Sequence, residues 1–266
     1  MKLRSSTYLI AVALVLLFVK LEAGVGNEDP RLDRYKLNAF LDEKFGINDD
    51  AISPEAVDQF EHMLNKLKVK QTQYRSEMGF LKHLFYTVHR KMLGDYVQYS
   101  SFQQIFEKHG YYDCVTASIL YAIILDELNI QYEVRETDYH VYLLAIADDQ
   151  EVFFETTDPM YGFVADPEEV MYRKNFYSGK IPNTEHRDEI IGLASENPEY
   201  QNTGHVDNAL TFEHLPALQY YNQAIRQFNE GNIGRAYQLI KKAVEIHPTE
   251  RIKNTASYIF SFVFEN

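Results

Sequence analysis

The chain has 266 residues, 45% of them hydrophobic and 24% charged, a balance that suits a folded protein and excludes wholesale disorder. Its formal net charge is −13 with no basic stripe to offset it, so nucleic acid is not an expected partner. A single cysteine excludes an internal disulfide framework and leaves one thiol to be explained.

Lys2 and Arg4 precede an unbroken apolar run from Tyr8 to Val19, and Leu21-Glu22-Ala23 resembles a small-residue cleavage site. That order is the pattern of a secretory signal peptide, so residues 1–23 are expected to export the protein to a periplasmic or secreted destination. The run is shorter than the ~20 residues that span a bilayer comfortably. Retained uncleaved, it would be a membrane anchor, and the sequence offers no other route to the membrane. No Cys stands immediately after the cleavage point, which disfavours a lipid-anchored form.

Residues 24–75 read as an N-terminal helical segment. Leu32 to Phe45 is one helical pattern, ended by Gly46; Ser53-Pro54 starts another with Pro at the first helical position, running to about Lys70. Residues 76–180 are assigned to a core domain. Met78 to Leu93 repeats apolar residues at helical spacing and stops at Gly94, and a short helix is expected over Phe102 to Lys108, closed by Gly110. Val115 to Leu128 is apolar nearly all round, as in a helix buried on most sides, with Asp113 as its N-cap and Cys114 in the first turn.

Three β-rich runs follow, Gln131 to Glu136, His140 to Ala147 and Gln150 to Thr157, with Asp148-Asp149 as a tight hairpin tip. One buried helix followed by an antiparallel sheet predicts an α+β core. From Val164 to about Thr211 the chain is rich in Pro, Asn, Asp and Glu and reads as irregular, with 181–212 as a linker or cover. In the last segment, 213–266, Tyr220, Ala224, Gly231, Ala236, Ala243 and Pro248 fall at the spacings of one tetratricopeptide repeat. Ile252 to Phe262 is a further helix, and a single repeat must dock on the rest of the protein to bury its apolar face.

A thiol reacts as thiolate, which the amides at a helix N-terminus favour, so Cys114 is the candidate nucleophile. His140, at the start of the second strand, is the candidate base. It needs a carboxylate to orient it, and Glu155 and Asp158 are within sequence reach. A two-residue tip pairs Ala147 with Gln150, Tyr142 with Glu155 and His140 with Thr157. Side chains alternate faces, so Glu155 shares a face with His140, whereas Asp158 points the other way unless the strand has already ended. A three-residue tip or a bulge would exchange the two acids. His109, Asp113, Cys114 and His140 lack the paired spacing of a zinc set, and no metal or cofactor is expected. His83, His89 and His109 read as surface or packing residues.

A Cys that opens a buried helix, a strand with His followed by hydrophobics, and a strand ending in an acid together resemble the transglutaminase-like superfamily, related in its core to papain-like proteases. Glu155-Thr156-Thr157 is similar to that family's Asp-x-Thr pattern with Glu in place of Asp, and the match spans about Phe80 to Phe163. The resemblance implies a Cys114–His140–Glu155 triad, a protein or peptide substrate, and thiol-dependent hydrolysis or acyl transfer at an amide bond. The chain departs from the family in having no Trp to assist an oxyanion; Gln103 and Gln104 are the nearest substitutes. The alternative reading is an inactive transglutaminase-like fold that serves as a protein-binding module.

Overall fold

The computed structural model describes residues 52–137, 139–180 and 207–263, all within one compact unit, Asn38–Asn266. The proposed signal at 1–23 and the helix expected over Leu32–Phe45 lie outside the described residues. Among the described residues, no helix is long and apolar enough to cross a membrane.

The architecture is α+β, with seven α-helices and a five-stranded antiparallel sheet among the described residues. Helix α1, Pro54–Gln71, starts where Ser53 Oγ accepts the Ala56 amide at 3.2 Å and Pro54 occupies the first turn. Helix α2, Glu77–Met92, is capped by Ser76, and the chain leaves it at Leu93-Gly94. Gly94 is required there because its amide donates to Gly110 O at 2.9 Å, and a Cβ on it would lie 1.9 Å from the His109 carbonyl oxygen. A 3-10 helix at Phe102–Phe106 precedes helix α3, Cys114–Glu127.

Every residue of α3 from Val115 to Leu125 is buried, as its all-round apolar sequence predicts. Ile119, Leu120, Ile124 and Leu125 have no exposed surface, each contributing ~1.5–3 kcal/mol of burial. The helix packs on strands β1, Tyr132–Thr137, and β2, Val141–Ala147. Strand β3, Gln150–Phe154, pairs with β2 in the expected register, Ala147 opposite Gln150 and Leu143 opposite Phe154. Asp148 and Asp149 both have positive φ, 50° and 59°, as a two-residue hairpin turn of the twisted kind demands. The sheet order is β4-β3-β2-β1-β5, with β4 at Phe163–Val164 and β5 at Asp207–Leu210.

The segment expected to be irregular holds more order than its composition suggests. Helix α4, Pro167–Tyr177, begins at an Asp166 N-cap that accepts the amides of Glu168 and Glu169, with Pro167 in the first turn. It packs on β3, joining Val170 and Tyr177 to Tyr142, Leu144 and Phe153 on one face of the sheet. Strand β5 pairs with β1, held partly by Arg135, whose guanidinium bonds the Asp207 carboxylate.

At the C-terminus, α5 (Leu215–Asn229) and α6 (Ile233–Ile246) form a helical hairpin on which α7 (Glu250–Val263) packs. Ala224, Ala236 and Ala243 are fully buried, so the helices approach closely. Helix α5 docks on α3, and its Gln219 and Gln223 donate to the carbonyls of Ser100 and Tyr99 at 3.4 and 2.8 Å. As the sequence requires of a lone helical pair, the hairpin is built into the body of the protein.

Candidate active site

Cys114 is the first residue of α3 and remains partly accessible. It follows Asp113, whose Oδ1 accepts the Thr116 amide at 2.8 Å while the Asp113 amide donates to Thr116 Oγ1 at 2.8 Å. This reciprocal cap fixes where the helix starts and hence where the sulfur sits. Burial pushes the Asp113 carboxyl up to about 6, against the hydrogen bonds from Thr116 and Asn222.

His140 stands immediately before β2. Thr137 holds its backbone, donating through its amide to the His140 carbonyl at 2.8 Å and accepting the His140 amide at 3.1 Å. The ring meets the Glu155 carboxylate, Nε2 to Oε2, at 2.7 Å. It also stacks on Tyr177, with centroids 4.7 Å apart and planes 20° apart. The structure therefore brings Glu155 to His140, as the strand-parity argument expects.

Asp158 does a different job. Its Oδ1 accepts the amides of Met160 and Tyr161 at 2.9 and 2.8 Å, closing the turn after β3. That turn returns through Gly162, which accepts the Glu155 amide at 2.8 Å. A Cβ on Gly162 would lie 2.2 Å from Glu155 O and 2.7 Å from the Phe85 ring, so glycine is required behind the acid.

Both oxygens of Glu155 are occupied although the residue is only 3% exposed. Oε1 accepts the Thr157 hydroxyl at 2.6 Å and the Thr157 amide at 3.1 Å; Oε2 accepts the Tyr177 hydroxyl at 2.6 Å besides the imidazole. Burial alone would raise this carboxyl, but the His140 charge and these donors hold it down at about 2. For the imidazole, burial opposes the cation. The Glu155 charge and hydrogen bond, with a contribution from the nearby Cys114 thiol, overcome that and push it up to about 10. The ring thus bonds the acid and lies near the thiol.

Tyr177, which bonds Glu155, and Tyr96 nearby carried no signal in the sequence. Tyr177 lies 22 positions beyond Glu155, on a helix taken for irregular chain. Tyr96 is brought in by a bridge to Tyr112, against whose ring it packs edge-on at 5.8 Å. The Tyr96 hydroxyl is pushed up by burial and by the charges of Cys114, Asp113 and Glu155, although the residue as a whole is 54% exposed. Gln104, one suggested oxyanion side chain, is engaged elsewhere: its Oε1 accepts the Ser101 amide at 2.9 Å and so caps the 3-10 helix.

His89, expected to be a surface or packing residue, is buried, and burial lowers its pKa. Two surface grooves of about 450 and 860 Å³ lie near the β2–β3 tip and beside β1 and β5, and neither is lined by Cys114, His140 or Glu155. Among the described residues, no three His, Cys, Asp or Glu side chains group as a metal site. Comparison of the chain with protein-family models, with curated proteins and with solved structures finds no match.

Proposed function

We propose that this chain is a thiol-dependent enzyme of transglutaminase-like type, which breaks a peptide or amide bond through Cys114, His140 and Glu155. The observation that carries the reading is the His140 imidazole bonded to the Glu155 carboxylate at 2.7 Å, with the Cys114 thiol near enough to help raise the imidazole's pKa.

In this mechanism Cys114 Sγ attacks the amide carbonyl carbon and forms a C–S bond, while the carbonyl electrons move onto oxygen. The Cys114 amide donates to that oxyanion. When the oxyanion collapses, the C–N bond breaks and the leaving amine takes the proton that His140 holds. Water then attacks the thioester, His140 receives its proton and returns it to the departing sulfur, and a carboxylic acid is released. With an amine in place of water, the same steps give acyl transfer; hydrolysis is the first choice. Export through residues 1–23 is part of the same proposal, and a protein found soluble in the cytoplasm with Met1 still in place would overturn it.

The second reading, an inactive fold that binds a protein partner, is favoured by the absence of Trp. An activated-ester and peptide-amide panel separates the two. The enzyme reading expects an acyl mass adduct confined to Cys114 and absent from Cys114→Ala; a panel that leaves the wild-type mass unchanged while a partner protein binds equally to both forms supports the alternative.

A further inference from the structure

We propose that Asn222, on the C-terminal helical hairpin, is a positioning residue that acts on Cys114 through Asp113, making the hairpin a working part of the thiol site. The proposal rests on the reading of Cys114 as the nucleophile. Its ground is the carboxylate that starts the nucleophile's helix. Asp113 is 1% exposed, and its two oxygens have separate tasks. Oδ1 is taken by Thr116, through the amide at 2.8 Å and the hydroxyl at 3.0 Å. Oδ2 is reached from outside the helix by Asn222 Nδ2 at 3.1 Å. Removing that amide strips a donor from a buried carboxylate one residue from the sulfur, and such losses cost more than the bond itself gains.

The surroundings of Asn222 show that the contact is not isolated. Gln219, Asn222, Gln223 and Arg226 recur at three- and four-residue spacing and so form one stripe of α5. Each bonds the chain that leads into the nucleophile: Gln219 to Ser100 O at 3.4 Å, Gln223 to Tyr99 O at 2.8 Å, Arg226 to Gln104 Oε1 at 3.4 Å, and Asn222 to Asp113 itself. A repeat that served only to bind a partner would keep such a polar face for that partner. Here the polar face is spent inward, on the segment between Tyr99 and Asp113.

The test is the rate at which iodoacetamide alkylates Cys114 in the full chain, measured from pH 5 to 9 in wild type, Asn222→Asp, Asn222→Leu, Gln223→Ala and the Asp113→Asn/Asn222→Asp pair, with melting temperature read on each. Asn222→Asp sets two carboxylates face to face. Its rate at neutral pH falls at least about tenfold, the order expected for a lost hydrogen bond to a buried charge. The pH of half-maximal rate rises by about one unit, because an added carboxylate opposes a thiolate. Restoring the amide–carboxylate pair in reversed order, in the double variant, brings the rate back to within about threefold. Gln223→Ala loses a docking bond of similar kind and lowers the melting temperature without moving the pH profile.

Asn222→Leu keeps the volume and removes the donor, so it carries the test if Asn222→Asp does not fold. A folded Asn222→Leu or Asn222→Asp protein that alkylates at the wild-type rate with the wild-type pH midpoint overturns the proposal. Failure of the parent reading looks different, since wild-type Cys114 would then alkylate no faster than a peptide thiol and the variants would have nothing to lose.

Discussion

Two buried carboxylates at strand ends, Glu155 and Glu136, are paired with histidines, and they are built for different ends. Glu136 closes β1 at 1% exposure, bonds the Arg251 guanidinium and lies 3.5 Å from His247 Nε2. Arg251 also lies over the Tyr221 ring at 4.7 Å, and His247 packs against His214 at 4.6 Å. Burial would raise the Glu136 carboxyl; the neighbouring His247 and the Arg251 charge bring it below the ordinary range. Glu155 has no guanidinium among its bonded partners. Its partners are two hydroxyls, an amide and an imidazole whose ring also interacts with a thiol. A guanidinium keeps its charge at any working pH, which suits an anchor between sheet and helices, whereas an imidazole can give its proton up. A buried His–carboxylate pair is therefore not in itself a sign of catalysis; what the imidazole interacts with beyond its acid decides the matter.

The sharpest way to break this contrast is Glu155→Gln. It keeps the shape but removes the charge that holds the imidazolium, and turnover falls by about 1,000-fold or more, as for other triads that lose their orienting acid. Arg251→Ala acts on stability instead. Leaving Glu136 buried without its cation costs about 3–5 kcal/mol in chemical denaturation, while the folded fraction alkylates at Cys114 within about twofold of wild type. Tyr177→Phe lies between the two. It removes one donor from the Glu155 carboxylate, costs ~1.5–3 kcal/mol and slows turnover by about tenfold, since the hydroxyl and the imidazole share Oε2.

The smallest effect expected is in the pH dependence of stability. His140 is raised in the fold, so its contribution is complete below the ordinary histidine value of about 6.5 and is lost as pH climbs towards about 10. Glu155 is lowered, so its contribution is complete above the ordinary carboxyl range and is lost as pH falls towards about 2. Buried, neutral His89 adds an acid limb, because the unfolded chain binds its proton more readily. Glu155→Gln flattens the alkaline decline, and Glu136→Gln leaves it in place; thermal melts from pH 4 to 10 separate the two acids.

Much of the site was legible in the chain because its signals are local or short-range. Asp113 before an apolar run announces a cap, and the Asp148-Asp149 tip fixes a register that puts Glu155 on the face of His140. What stayed hidden is held by contacts that sequence spacing does not encode. Helix α4 buries only Val170 completely, so it lacks an apolar stripe, and its Asp166-Pro167 start was masked by acidic composition. Strand β5 reads Asp-Asn-Ala-Leu, a poor strand by propensity, and is formed by pairing with the edge of β1. Tyr177 and Asn222 reach the site across 22 and 109 residues respectively, measured to Glu155 and Asp113.

The central claim is that His140 governs the thiol of Cys114. The most direct measurement is the rate of Cys114 alkylation between pH 5 and 9 in wild type and His140→Ala. The account predicts that wild type reacts faster than a free peptide thiol at mildly acid pH, with the advantage gone in the variant. Superimposable profiles for the two proteins, no faster than the peptide thiol, would contradict it.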